Sequence, residues 1–226
     1  MKRIEVLDLW RSLCVFIMIV FHAIYDLEHM GVIGAGFYDS LPMVLVARIT
    51  AASFIIISGI CTRFSRSAAK RGLFVFGCGI AVSAVSMAVG NPISFGILHF
   101  LGISMMICSR LGRYIEKLSV GAVCTFCALL TALSAVAVSR ITVGVNWLFP
   151  LGFHAPDFYS ADYYPLLPWF FVFVAGTALG RVVEEKRENA FFSMRCSPVL
   201  TFFGKHSLVV YLLHQPIIYG FFHLIF

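Results

Sequence analysis

The sequence predicts an all-α polytopic membrane protein with about seven transmembrane helices, its N-terminus cytoplasmic and its C-terminus outside. Three observations carry this reading. The 226 residues are 60% hydrophobic and 12% charged, with a mean hydropathy of +0.93, whereas a soluble domain is about a quarter charged. Apolar runs of the roughly 20 residues needed to cross a bilayer recur along the whole chain. Lys and Arg concentrate in alternate connections, as they do in cytoplasmic loops. The formal net charge of +6 therefore speaks to orientation, and no nucleic-acid partner is implied.

The first span covers about 9–27. The preceding MKRIEVLDLWR mimics the basic region of a signal peptide. Glu5, Asp8 and Arg11 interrupt it and no A-x-A site follows, so an uncleaved first helix is expected. The second and third spans cover about 42–62 and 71–89. Gly90, Asn91 and Pro92 make the turn into a fourth at about 95–111. The fifth, sixth and seventh follow at about 119–139, 163–181 and 206–225. A shorter apolar piece, about 141–153, holds Asn146, Trp147 and Pro150. It is too short to span and is expected to be re-entrant or interfacial.

Seven spans put Lys2, Arg3, Arg11, Arg63, Arg66, Lys70, Arg71, Arg110, Arg113, Lys117, Arg181, Lys186, Arg187, Arg195 and Lys205 on one side. Only Arg140 falls on the other. A missed span would scramble that alternation. No internal repeat is visible and the loops leave no room for a soluble domain, so 1–226 reads as a single transmembrane domain. There are seven Cys, mostly within apolar runs. Cys124 and Cys127 form a lone CxxC, which without a second ligand pair reads as packing rather than as a metal site.

An ionisable group at membrane depth is costly and tends to face protein or water. The first span carries such groups at both ends. At 100° per residue Asp8 and Asp26 project in the same direction, and Arg11 and His22 lie within about 60° of them. The four make one stripe. Arg11 and His22 are roughly 16 Å apart along the axis, Arg11 near the cytoplasmic surface and His22 in the outer half. Asp26 lies one turn above His22, where it could orient the ring. Arg48 stands in the outer third of the second span, on a stripe with Ala51, Ala52, Ser58 and Gly59 that permits close packing. A buried Arg there would need a partner. His99 lies in the outer part of the fourth span, and Pro168 and Trp169 in that of the sixth. Ser207, Tyr211 and His214 share a face of the seventh, where Pro216 can kink the helix. His99 and His214 also have a purely structural reading, as rings bonded to a helix carbonyl. His206 and His223 read as interfacial, and Tyr163, Tyr164, Trp147 and Trp169 as aromatic belt.

D-x-x-R followed eleven residues later by His, as Asp8, Arg11 and His22 stand here, resembles the transmembrane acyltransferase superfamily. The Arg and the His are the recurring functional pair of that group. Its usual Gly after the Arg is Ser12 in this chain. The remainder resembles one branch, the heparan-alpha-glucosaminide N-acetyltransferase catalytic domain family of bacterial membrane proteins. ASFIIISGICTRFS (52–65), ILHFLGIS (97–104), WLFPLGF with DYYPLLPWFFVFVAGTALGR (147–181) and FGKHSLVVYLLHQPIIYG (203–220) carry that likeness nearly end to end. The lysosomal enzyme that names the branch is longer and has a luminal domain, so the acceptor need not be heparan sulfate. The branch and the loop-poor design imply a bacterial cell membrane.

The resemblance implies that an acyl group, acetyl by the family's name, moves from cytoplasmic acyl-CoA to an amino sugar or hydroxyl of an extracytoplasmic glycan. Acyl-CoA would be a co-substrate and no tightly bound cofactor or metal is implied. His22 and Asp26 would be the catalytic residues, with His29 in the first outer loop a competitor. Asp8, Arg11, Arg63 and Arg66 would hold the donor, the arginines at its phosphates. Arg48, His99, His214, Trp169 and Asp162 would face the substrates or the oxyanion. His22 could deprotonate the acceptor or carry the acyl group itself. A proton-coupled transporter is the competing class, because intramembrane His, Arg and Asp also build proton relays; the missing inverted repeat argues against it. A non-catalytic remnant of the fold is a third reading. Homo-oligomerisation is left open.

Overall fold

The computed structural model describes residues 3–225, so Lys2 lies outside the described residues. Nine α-helices follow in order among them: α1 (Glu5–His29), α2 (Leu41–Thr62), α3 (Ala68–Ala88), α4 (Ile97–Ile115), α5 (Val120–Arg140), α6 (Leu166–Glu185), α7 (Ala190–Ser193), α8 (Pro198–Lys205) and α9 (Ser207–Ile225). Six of these, α1, α2, α3, α5, α6 and α9, are long and apolar enough to cross a membrane. The protein is a multi-pass, all-α membrane protein. The fourth expected span exists as α4 but falls outside that set of six. Its composition has a physical reason. Nine of its residues, from Ile97 to Cys108, are buried, His99 and Ser104 among them, and the exposed Ser109, Arg110 and Arg113 follow at its C-terminal end, which together lower its hydropathy.

The chain divides into two compact units, 1–57 with 186–226, and 58–185. The division falls inside α2.

In the first unit, α1 packs on α7, α8 and α9. Ser12 of α1 meets Gly204 of α8, His22 meets His214 of α9, and Asp26 meets Gln215. Position rises together on both sides, so α1 and the α8–α9 pair run parallel. Gly204 permits the approach, since a Cβ there would overlap the Asp8 carbonyl. The 30–40 connection folds back on the end of α1, where the Glu28 carboxylate accepts from the Gly36 and Tyr38 backbone N–H groups, both at 2.7 Å.

In the second unit, α3 and α4 run antiparallel. Gly72 lies against Met105 and Met106, Gly102 against Phe76, and Gly79 against His99. The end of α2 runs parallel to α6, with Gly59 against Phe173 and Gly176, and Gly180 against Ile60 and Arg63. Small residues at these points let backbones touch, which is how apolar helices gain packing energy without a hydrophobic drive. Ser67 and Ser119 cap α3 and α5 by accepting from the Lys70 and Ala122 backbone N–H groups. Cys127 packs with Val123 and Ala178 between α5 and α6, so that half of the CxxC is a core residue. The 141–153 piece forms no span. It holds one 3₁₀ turn, Phe149–Leu151, tied by the Tyr163 hydroxyl donating to the Phe149 carbonyl at 2.7 Å.

Candidate active site

The stripe on α1 faces protein. Asp8, Arg11 and Asp26 are buried and His22 is half-buried. What each side chain meets differs from the sequence expectation at several points.

At the cytoplasmic end, Asp8 accepts from Arg3 Nε at 2.5 Å and Nη2 at 3.0 Å, and lies 3.6 Å from Arg11 Nη1. Arg11 Nη1 also donates to the Gly204 carbonyl at 3.2 Å. Arg11 thus joins α1 to α8, and Asp8 holds Arg3 and Arg11. A cavity of about 460 Å³ opens beside them, lined by Arg3, Glu5, Arg187, Phe192, Met194 and Arg195 among others. Glu5 is fixed there by accepting from the Cys196 N–H at 2.8 Å.

Eleven residues beyond Arg11 on α1 stands the central pair. His22 Nδ1 lies 2.6 Å from His214 Nε2. The ring centroids are 4.8 Å apart and the planes differ by 19°. That separation equals the N···N distance plus the centre-to-vertex radius of both rings. The two imidazoles therefore meet edge to edge, nearly in one plane, as an in-plane hydrogen bond requires. His214 Nδ1 is 2.6 Å from the Tyr211 carbonyl. The second ring nitrogen of His22, Nε2, has no hydrogen-bond partner among the described residues.

Asp26 does not orient His22. Both of its oxygens accept from Gln215 Nε2, at 2.9 and 3.0 Å. Gln215 Oε1 is buried without a partner among the described residues. Sequence reasoning missed Gln215, whose one signal was its place between His214 and Pro216. It gave His214 a substrate role where the structure sets it against His22. His29 lies in the last turn of α1, not in the following loop; it is exposed, with its ring over Tyr25. Arg48 is exposed on α2, not buried as expected; no side chain from Leu41 to Thr50 is buried.

The remaining expected residues belong to the second unit. Arg63 is tied to Glu184 (Nε to Oε2, 2.6 Å) and to Glu116. Its pKa is raised, first by the hydrogen bond to Glu184. Its charge is matched by these two carboxylates. Arg66 is exposed. Asp162 accepts from the Ile97 N–H at 3.0 Å. It thereby caps the start of α4, where a carboxylate meets the positive end of the helix dipole. Trp169 is buried with its ring 5.5 Å from that of Tyr164. His99 is buried between Phe76 and Phe95, with Nδ1 unpartnered among the described residues and Nε2 3.5 Å from Ser83 Oγ. The ring also packs against Gly79.

The family model described as heparan-alpha-glucosaminide N-acetyltransferase, catalytic, matches residues 3–216. The chain belongs to this family. No curated protein and no solved structure matches it. Membership makes a membrane transferase the coarse functional reading and lends nothing to the transporter. The matched stretch contains His22, Asp26, His214 and Gln215 together.

Proposed function

We propose that the protein is a cell-membrane acyltransferase that moves an acyl group, acetyl by family, from cytoplasmic acyl-CoA to an amino sugar or hydroxyl acceptor on the outer side. The observation that carries this is His22, a half-buried imidazole at membrane depth, anchored through one ring nitrogen with the other unpaired among the described residues. That nitrogen takes the acceptor's proton as the thioester opens, or carries the acyl group between the two substrates; both routes use the same atom. The Asp26–Gln215 pair, one turn toward the outer end, offers the acceptor polar groups.

The proposal includes seven spans with the N-terminus inside. Two helix directions support it. Parallel α1 and α9 fit an odd number of crossings from first to last, as seven spans give. Parallel α2 and α6 likewise require that one of the helices between them be counted that a six-span chain omits, and α4 is that helix. The cation bias then sets the inside.

The donor's phosphates are assigned to the cavity at the start of α1, whose lining includes the guanidinium groups of Arg187 and Arg195. The decisive experiment is His22→Ala in proteoliposomes loaded with acyl-CoA. Transfer to an external amine or sugar is expected to fall by on the order of 10²-fold or more, with the melting temperature unchanged. Retained transfer would remove His22 from the chemistry.

A further inference from the structure

We propose that His214 is a positioning residue that fixes the tautomer of His22 and so selects Nε2 as its reacting nitrogen; this rests on the acyl-transfer reading above. The chain of reasoning starts at a carbonyl. The Tyr211 oxygen can only accept, so His214 Nδ1, 2.6 Å away, carries the proton. A neutral imidazole has a single N–H, and His214 Nε2 is therefore a lone pair. His22 Nδ1 lies 2.6 Å from that lone pair and must be the donor. The proton on Nδ1 leaves the lone pair of His22 at Nε2, on the far side of the ring from His214. An isolated histidine prefers the opposite tautomer, with its proton on Nε2 and its lone pair on Nδ1, which in His22 faces His214.

The same bond serves the charged state. When His22 Nε2 takes a proton, the Nδ1–H becomes part of an imidazolium, and its bond to His214 Nε2 becomes charge-assisted and stronger. His214 thus does what a carboxylate does for the histidine of a Ser-His-Asp triad, orienting the ring and favouring its cation, without placing a second buried charge in the membrane. Asp26 is not available for this, since Gln215 holds it. The anchor is local to α9: Tyr211 and His214 are three residues apart on one helical face.

The test reads the tautomer directly. Full-length protein labelled with ¹⁵N-histidine is placed in lipid nanodiscs at about pH 8, where an ordinary imidazole of pKa about 6.5 is neutral. Two-bond ¹H–¹⁵N correlations are recorded, and the His22 signals are identified by their loss in H22A. His22 is expected to show a protonated Nδ1 and an unprotonated Nε2. His214→Gln keeps an acceptor oxygen near the position of Nε2; it should keep that pattern and lose less than about tenfold in kcat. His214→Leu removes the acceptor; His22 should then shift to the Nε2-protonated form. Its kcat should fall by on the order of 10²-fold or more, with KM for acyl-CoA within about twofold. A wild-type His22 protonated on Nε2 overturns the proposal, whether or not the Leu variant folds. Equal kcat losses in the Gln and Leu variants, or full kcat in the Leu variant, overturn it as well. The expected tautomer in a protein that transfers from no acyl-CoA leaves the assignment standing and overturns the acyltransferase reading instead.

Discussion

Gly204→Ala tests how closely α1 and α8 pack. An added Cβ would overlap the Asp8 carbonyl oxygen and stand 2.7 Å from its carbon and 2.9 Å from Ser12 Oγ. The first two are backbone atoms in a helix and cannot rotate away, so α8 has to retreat from α1. Retreat breaks two buried hydrogen bonds, Gly204 N–H to Ser12 Oγ at 2.6 Å and Arg11 Nη1 to the Gly204 carbonyl at 3.2 Å. Overpacking costs about 1–3 kcal/mol. A buried partner left unsatisfied costs about 1–3 kcal/mol more, at the upper end where the donor is an arginine. With both bonds counted, the total, about 3–9 kcal/mol, is a large share of a domain stability of about 5–15 kcal/mol. Denaturant-titrated unfolding in detergent, followed by near-ultraviolet circular dichroism, measures it. Ser12→Ala serves as the comparison, since it removes one acceptor without adding an atom and should cost about 1 kcal/mol. Ser12→Gly in the Gly204→Ala background should not restore stability, because the overlap is with Asp8. A Gly204→Ala protein within about 0.5 kcal/mol of the parent would refute the packing argument. Rescue by Ser12→Gly would move the clash from the backbone to the side chain.

Arg63→Ala should lower the stability of the second unit by less than about 1 kcal/mol, as for exposed ion pairs. It should leave KM for acyl-CoA within about twofold, whereas Ala at Arg187 or Arg195 should raise it; steady-state titration of acyl-CoA separates the two, and a donor KM that tracks Arg63 would return the phosphates to that arginine. Alkaline phosphatase fused after the last residue should be active in a bacterial host, and a fusion placed between α4 and α5 should be inactive. The reverse pattern would invert the proposed orientation or remove α4 from the spans, and equal activity at both points would remove one of α5, α6 and α9.

Much of the fold was legible because membrane spans are local. Length and apolarity mark each one, and the spans expected at 42–62 and 206–225 agree closely with α2 and α9. The face of α1 was legible too, since Asp8, Arg11, His22 and Asp26 share it by helical period alone, and the structure turns that face to α8 and α9. Ser12 was visible as a departure from its family's Gly but not explicable. Its reason lies on α8, where Gly204 supplies the missing side chain's space and donates to the Ser12 hydroxyl.

Partners were not legible. His22 and His214 are 192 residues apart, and Asp26 and Gln215 are 189 apart. Adjacent turns of one helix made Asp26 look like the natural support for His22, yet its carboxylate is claimed by Gln215 from another helix. Arg63 looked like a free cation because Glu116 and Glu184 stand far from it along the chain. Asp162 looked like a ligand for substrate because the N-terminus of α4 that it caps begins at Ile97. Periodicity and composition fix which groups lie at membrane depth and on which face. Which of them meet depends on how helices distant in sequence pack, and that is decided by small residues at crossing points and by the pairing that each buried polar group demands.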